Sequence, residues 1–539
     1  MGPVKGPVRV AAVQFATGRD AGANLDACLR MIDEAAGAGA RLIVLPEFCN
    51  RISWYDDRAA AERAACTPDG PFLAAVAARA AAHRAHIKIN VTLAAGGRVT
   101  VASLLYGPDG ALLGRADKLV LMGAEGDHLD AGTAAGPVID TPHGRVGMYA
   151  CMEGVTSEVP RDLAVRGAQL LLNSLNSFAL DEASLHIPVR AAENRVWVVA
   201  ANKVGPLLPE EALPAIAARL GVPAGLLDGA GESQIVAPDG TVVAKAPRTG
   251  EAVVVADIDP ALADDKVRPD GTDLFAARRP ALYAPITAPP VPRSAPAGAA
   301  KLNAAVVRSP GLVAEAVRAG AELVVLPELA FGAAARPAGA IAALAEAVRG
   351  TAAHAVTTVR DGDGGHAAYL VGADGLAGRQ PRLHGGAGEK LEIFTLPWGR
   401  LALIAGDDAL FPETFRLAAI ADADVAAVPF TPLEPWETAL GLPERSAENR
   451  LNVVASGPDG GLILALPADF TLWTSWDGPF EGRISHPLVN QAGGPVTIAG
   501  VHPAQAVNRL VSKNTDLVGG RPAHAVAALA ADAPSGAPR

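Results

Sequence analysis

The apolar positions fall in short runs separated by polar or glycine-containing turns, and the runs recur in a fixed order. Residues 8–16, VRVAAVQFA, predict a buried strand. In residues 25–36, Leu25, Cys28, Leu29 and Ile32 are spaced three and four apart, which predicts one face of a helix. AGARLIVLPEF (38–48) ends that helix at glycine and enters a second apolar strand. Strand, helix and strand in this order predict a parallel pair.

The plan returns from residue 301. KLNAAVVRSP matches the first strand, 312–319 predicts a shorter helix, and AGAELVVLPEL (319–329) matches AGARLIVLPEF. GRVGMYAC (144–151) returns as GRLALIAG (399–406), and RAAENRVWVVA (190–200) as RSAENRLNVVA (445–455), both displaced by 255 residues. Ordered matches at nearly constant spacing mean internal duplication. QLLLNSLN (169–176) and VWVVAANKVG read as further strands, DEASLHIPVRAAENR as helix, and SQIVAPDGTVV (233–243) as a strand, an Asp-Gly turn and a strand. Each copy is therefore mixed α/β. The expected divisions are 1–285 for the first copy, 286–300 for a Pro/Ala-rich linker, 301–528 for the second copy and 529–539 for a flexible tail.

The chain's 539 residues give each copy room for a full core. A net charge of -11 argues against a broad basic surface for nucleic acid or acidic lipid. No apolar run is long enough to span a membrane, and the N-terminal stretch does not read as a signal peptide. The four cysteines, Cys28, Cys49, Cys66 and Cys151, form no close pair. They suit neither a disulfide framework nor zinc, so a reducing, cytoplasmic setting is expected, with no metal.

Three residues of the first copy invite chemistry. Glu47 ends the strand at VLPEF, where a carboxylate can sit in the crevice at a sheet's carboxyl edge or simply face water. Lys118 in GRADKLVL alone reads as readily as a surface lysine. Cys151 ends VGMYAC, where an elbow presents sulfur beside backbone N–H groups; its bland alternative is a small buried hydrophobe.

Together these residues resemble the nitrilase superfamily of carbon–nitrogen hydrolases. LPEF carries the glutamate, DKLVL the lysine and CMEGVTSEVPRDLAVRGA the nucleophile elbow, with Glu158, Arg161 and Gly167-Ala168 at family spacings. AENRVWVVAAN and SQIVAPDG look like later family blocks, and the resemblance covers roughly residues 8–285. It implies tandem α-β-β-α sandwich domains packed as an intramolecular pseudo-dimer. It also implies Cys151 as nucleophile, Glu47 as acid/base, and Lys118 with the Met152 backbone N–H as oxyanion donors. Glu125 would support Lys118 and the substrate, with Glu153 and Asn173 as supporting or substrate-binding groups and no cofactor. Trp54, Tyr55 and residues 173–178 are candidate pocket walls. Thr156-Ser157 replaces the usual Phe-Pro, and Met152 stands where nitrile hydrolases carry tryptophan.

The expected reaction is hydrolysis of a small amide or N-carbamoyl compound, the alternatives being nitrile hydrolysis or acyl transfer. In the second copy Glu328 keeps the glutamate, Arg382 holds the lysine position and Gly406 the cysteine position. That copy is expected to be a non-catalytic partner within the chain. Further homo-oligomerisation stays open.

Overall fold

Successive residues of the strand Val8–Gln14 point to opposite sides of a sheet. Val8, Val10 and Ala12 enter one core, while Ala11 and Val13 enter another with Cys28, Met31, Ile32 and Ala35 of the helix Ala21–Gly37. Burial on both faces explains why the run lacks polar alternation. The helix starts at Asp20, whose side chain accepts the N–H groups of Gly22 and Ala23. The computed structural model describes residues 6–361, 365–467 and 482–531.

The first half holds two six-stranded sheets. One runs Ala252–Ile258, Val8–Gln14, Leu42–Val44, His86–Ala95, Arg98–Tyr106, Leu112–Asp117. The other runs Val242–Lys245, Gln234–Val236, Trp197–Ala201, Leu170–Ser174, Gly144–Ala150, Ile139–Thr141. A single core containing Val10, Val44, Val146, Leu172 and Val198 lies between them. Central strands pair in parallel, as the strand–helix–strand pattern predicts.

The second half repeats this strand order. Val496–Val501, Leu302–Val307, Leu323–Val325, His354–Arg360, His366–Gly372 and Gly375–Pro381 make one sheet. Leu488–Ala492, Gly460–Ala465, Asn452–Gly457, Val425–Pro429, Gly399–Leu403 and Ile393–Leu396 make the other. The chain thus contains two α/β regions of like topology.

The halves meet through buried charges that repeat with the 255-residue displacement. Arg161 pairs with Glu413 at 2.9 Å, and Arg416 with Glu158 at 2.6 Å. Arg190 pairs with Glu448 at 2.8 Å, and Arg445 with Glu193. These residues sit on the helices Glu158–Val165 and Ile187–Asn194 and on their counterparts Pro412–Ile420 and Leu442–Asn449.

Two sequence expectations need adjustment. The linker expected over 286–300 begins in a helical turn with Ile286 buried. Beyond it, Arg293 reaches Asp424 at 2.6 Å and Ser294 donates its N–H to Asp422, so the segment is anchored to the second half. The flexible tail expected from 529 is packed where it begins: Leu529 is buried and its carbonyl accepts Arg278 at 2.7 Å. Residues 532–539 of that tail lie outside the described residues. No described helix is long and apolar enough to cross a membrane, and all four cysteines are free.

Candidate active site

The short strand Leu42–Val44 delivers Glu47 to the carboxyl edge of its sheet, where the side chain is fully buried. The turn is fixed by the Phe48 N–H donating to Asn90 Oδ1 at 3.1 Å and the Cys49 N–H to the Asn90 carbonyl at 2.8 Å. Phe48 adopts φ 53°, the left-handed region that few side chains tolerate. Glu47 therefore does not face water. Lys118, just past the strand Leu112–Asp117, is buried rather than superficial.

Lys118 Nζ sits 2.8 Å from Glu47 Oε1 and 2.8 Å from Glu125 Oε2. Glu125 grips it with both oxygens, and Oε2 also accepts the Met122 N–H at 2.9 Å. The Glu47 contact is an ion pair without hydrogen-bond geometry, which leaves its oxygens able to take a proton from elsewhere. Burial pushes the Glu47 carboxyl up, and Lys118 only partly offsets this. Burial opposes the charge on Lys118, but Glu125 and Glu47 outweigh it and hold the ammonium well above its ordinary value.

Cys151 ends the strand Gly144–Ala150 at φ 48° and opens the 3-10 turn Cys151–Gly154. The elbow is braced from below. Asn173 Oδ1 accepts the Cys151 N–H at 3.1 Å. Glu153 accepts the N–H groups of Ala150 and Leu119, both at 2.8 Å, tying the cysteine strand to the lysine strand. Burial first, then Glu47, pushes the thiol up, while Lys118 pulls it down. The left-handed turn and its dedicated acceptor distinguish Cys151 from a cysteine that merely fills space.

The structure thus brings Glu47, Lys118, Glu125 and Cys151 together, with the Met152 N–H next in the turn. Asn173 and Glu153 do not reach toward substrate as expected; both are spent on backbone N–H groups. Tyr55 is likewise removed from the candidate pocket wall, because it is buried with its hydroxyl 2.6 Å from Thr92 Oγ1.

Sequence reasoning passed over several buried groups here. Lys88 donates to the Tyr149 carbonyl at 3.3 Å and to Ser174 Oγ, and burial pushes it down to about 7. A lysine inside the apolar run HIKIN was the visible signal. Glu182 is buried in a π-helical turn near Cys151 and is pushed up to about 7, chiefly by burial. Nothing in its local pattern marked it.

The second half reaches this site. Thr515 Oγ1 accepts the Gly123 N–H at 2.8 Å and donates to the Leu121 carbonyl at 3.1 Å. Lys513 pairs with Asp127 at 2.8 Å. These contacts hold the loop that carries Glu125. On another side, Asp181 accepts the N–H groups of Ile484 and Ser485, and His186 Nδ1 lies 2.8 Å from Glu444 Oε2.

The second half's own positions differ. Gly406 keeps the elbow conformation at φ 55° but has no sulfur. A Cβ built there would overlap Glu328 Oε1. Arg382 turns away from Glu328 toward Asp407, 3.1 Å distant.

The carbon–nitrogen hydrolase family matches residues 9–266. A hydrolase of Mycobacterium tuberculosis is 30% identical over 268 residues, 47% of this chain and 89% of that protein. A nitrilase of Pyrococcus abyssi is 28% identical over 261 residues, 48% of this chain and 92% of that protein. An omega-amidase of Xenopus laevis is 29% identical over 266 residues, 47% of this chain and 88% of that protein. Through its first half the chain belongs to the carbon–nitrogen hydrolase family and is a cysteine-dependent carbon–nitrogen hydrolase.

Proposed function

We propose that the first half hydrolyses a small amide or N-carbamoyl compound through a thioester on Cys151. The observation that carries this reading is a buried lysine held between two carboxylates beside a cysteine in a left-handed elbow.

In this reading Cys151 Sγ attacks the carbonyl carbon and its proton passes to Glu47. Charge develops on the carbonyl oxygen, where Lys118 Nζ and the Met152 N–H receive it. Glu47 returns the proton to nitrogen, the C–N bond breaks and ammonia leaves. Glu47 then takes a proton from water, the hydroxyl adds to the thioester, and the acid departs as the sulfur is reprotonated. Glu125 holds Lys118 charged and in place. The omega-amidase relative supports an amide substrate, and Met152 in place of tryptophan weighs against a nitrile.

The second half acts as a non-catalytic partner, so that the chain is an intramolecular pseudo-dimer. Support comes from the reciprocal ion pairs, since a two-fold contact repeats each interaction with the partners exchanged. Ammonia release across short amides, ureido acids and nitriles tests the substrate class. Release from amides or ureido acids is expected, and turnover confined to nitriles would replace this reading with the nitrilase one.

A further inference from the structure

The second half has lost its nucleophile, yet the place is lined with charge. A cavity of about 330 Å³ lies there, bordered by Glu328, Arg360, His366, Arg382, Asp407 and, contributed by the first half, Arg268. Strand pairing shows what has been gained. His366 stands where the first half has Val101, and Arg360 where it has Thr92. Loss of an active site alone does not explain two new nitrogen-bearing side chains on its wall.

The wall is only partly satisfied. Arg268 is saturated: it forms a fork on Glu437 at 2.7 and 2.9 Å and reaches Asp270 at 3.0 Å and Asp407 at 3.1 Å. Arg382 spends one end on Asp407 and another on the Gly385 carbonyl, but its buried Nε has no hydrogen-bond partner among the described residues. His366 is only 8% exposed, and its Nε2 also has no such partner. Buried polar atoms normally find one, so these two mark a place for a ligand. Burial first, then Arg382 and Arg360, pushes the His366 imidazole down to about 4, a sign of positive potential in the cavity.

We propose that this cavity binds, without turning it over, a small monocarboxylate received by Arg382, Arg360 and His366. A guanidinium matches the planar fork of a carboxylate. Glu328 and Asp407 border the same space, so a second negative charge on the ligand would be repelled; this favours a carboxylate over a phosphate dianion. With neither sulfur at Gly406 nor a lysine at 382, the bound molecule has no route to a thioester.

The test is isothermal titration of the full chain with propionate, propionamide and inorganic phosphate. Propionate should bind more tightly than the other two. The double variant Arg360→Gln, Arg382→Gln should weaken it by at least about tenfold while releasing ammonia from the first half's substrate at the parental rate. His366→Val, which installs the first half's own residue type, should weaken propionate binding as well. The proposal is overturned if propionate does not bind, if it binds the variants as tightly as the parent, or if phosphate binds better. Unchanged binding in the variants would assign the heat to another site. These readouts do not depend on which amide or nitrile the first half prefers.

Discussion

Cys151 and Gly406 share a left-handed backbone conformation, at φ 48° and 55°. A non-glycine residue there is uncommon, and it persists only where surrounding bonds enforce it. In the first half that bond is the Cys151 N–H to Asn173. Gly406 meets the conformational requirement at no steric cost but carries no sulfur. Gly406→Cys should yield no second active site and should destabilise the chain, because its Cβ overlaps the Glu328 carboxyl. Thermal unfolding together with ammonia release in a Cys151→Ala background checks this; recovered turnover would contradict it. Glu47→Gln keeps the shape but removes proton acceptance, so turnover should fall by about 10²-fold or more in single-turnover and steady-state assays. The identities Glu47, Lys118, Glu125 and Cys151 were legible because each ends or follows an apolar run in a recognisable block. The tasks of Glu153 and Asn173 were not, because a polar residue after a strand reads alike whether it faces substrate or a neighbouring N–H.

At the scale of elements, the repeated strands and helices were legible from period and from duplication. The cross-connections between halves were not, since they depend on which loops meet in space. One signal was nevertheless present: DPALADDKVRPDGTDL (259–274) and HPAQAVNRLVSKNTDL (502–517) are related copies. In the structure each reaches the other half's site, the first through Arg268 to Asp407 and the second through Thr515 to Gly123. Thr515→Val removes both hydroxyl bonds to the Glu125 loop, so kcat/KM should fall by about tenfold, whereas Thr515→Ser should retain activity. Equal activity in all three proteins would show that the loop holds itself. The helices at the junction give a pH prediction. Burial opposes the charge of Glu413, but Arg161 and Arg278 outweigh it and hold the carboxyl down to about 2, below its ordinary value of 4.5. A depressed carboxylate stabilises the fold above its unfolded value and loses that contribution as pH falls through its folded value. Glu413→Gln should therefore cost about 3 kcal/mol at neutral pH, by leaving two buried guanidinium groups unpaired. That difference should shrink between about pH 4.5 and pH 2. Denaturant unfolding of both proteins across this range reads the effect.

For the whole molecule, the first half is not a free-standing enzyme with a passenger. The second half covers its helices Glu158–Val165 and Ile187–Asn194, supplies counter-charges to Arg161 and Arg190, and holds the Glu125 loop. Residues 1–290 expressed alone should aggregate or dimerise through the uncovered helices, and lose activity with the loop contacts. Light scattering and specific activity check this; a monomeric, fully active fragment would remove the second half from both roles. The central claim is more basic: the chain forms its thioester on one sulfur. Intact and peptide mass spectrometry of the full chain with a slowly hydrolysed amide tests it most directly. An acyl adduct confined to Cys151, absent from Cys151→Ala, is the expected result. An adduct on Cys28, Cys49 or Cys66, or near-parental turnover by Cys151→Ala, would contradict the account.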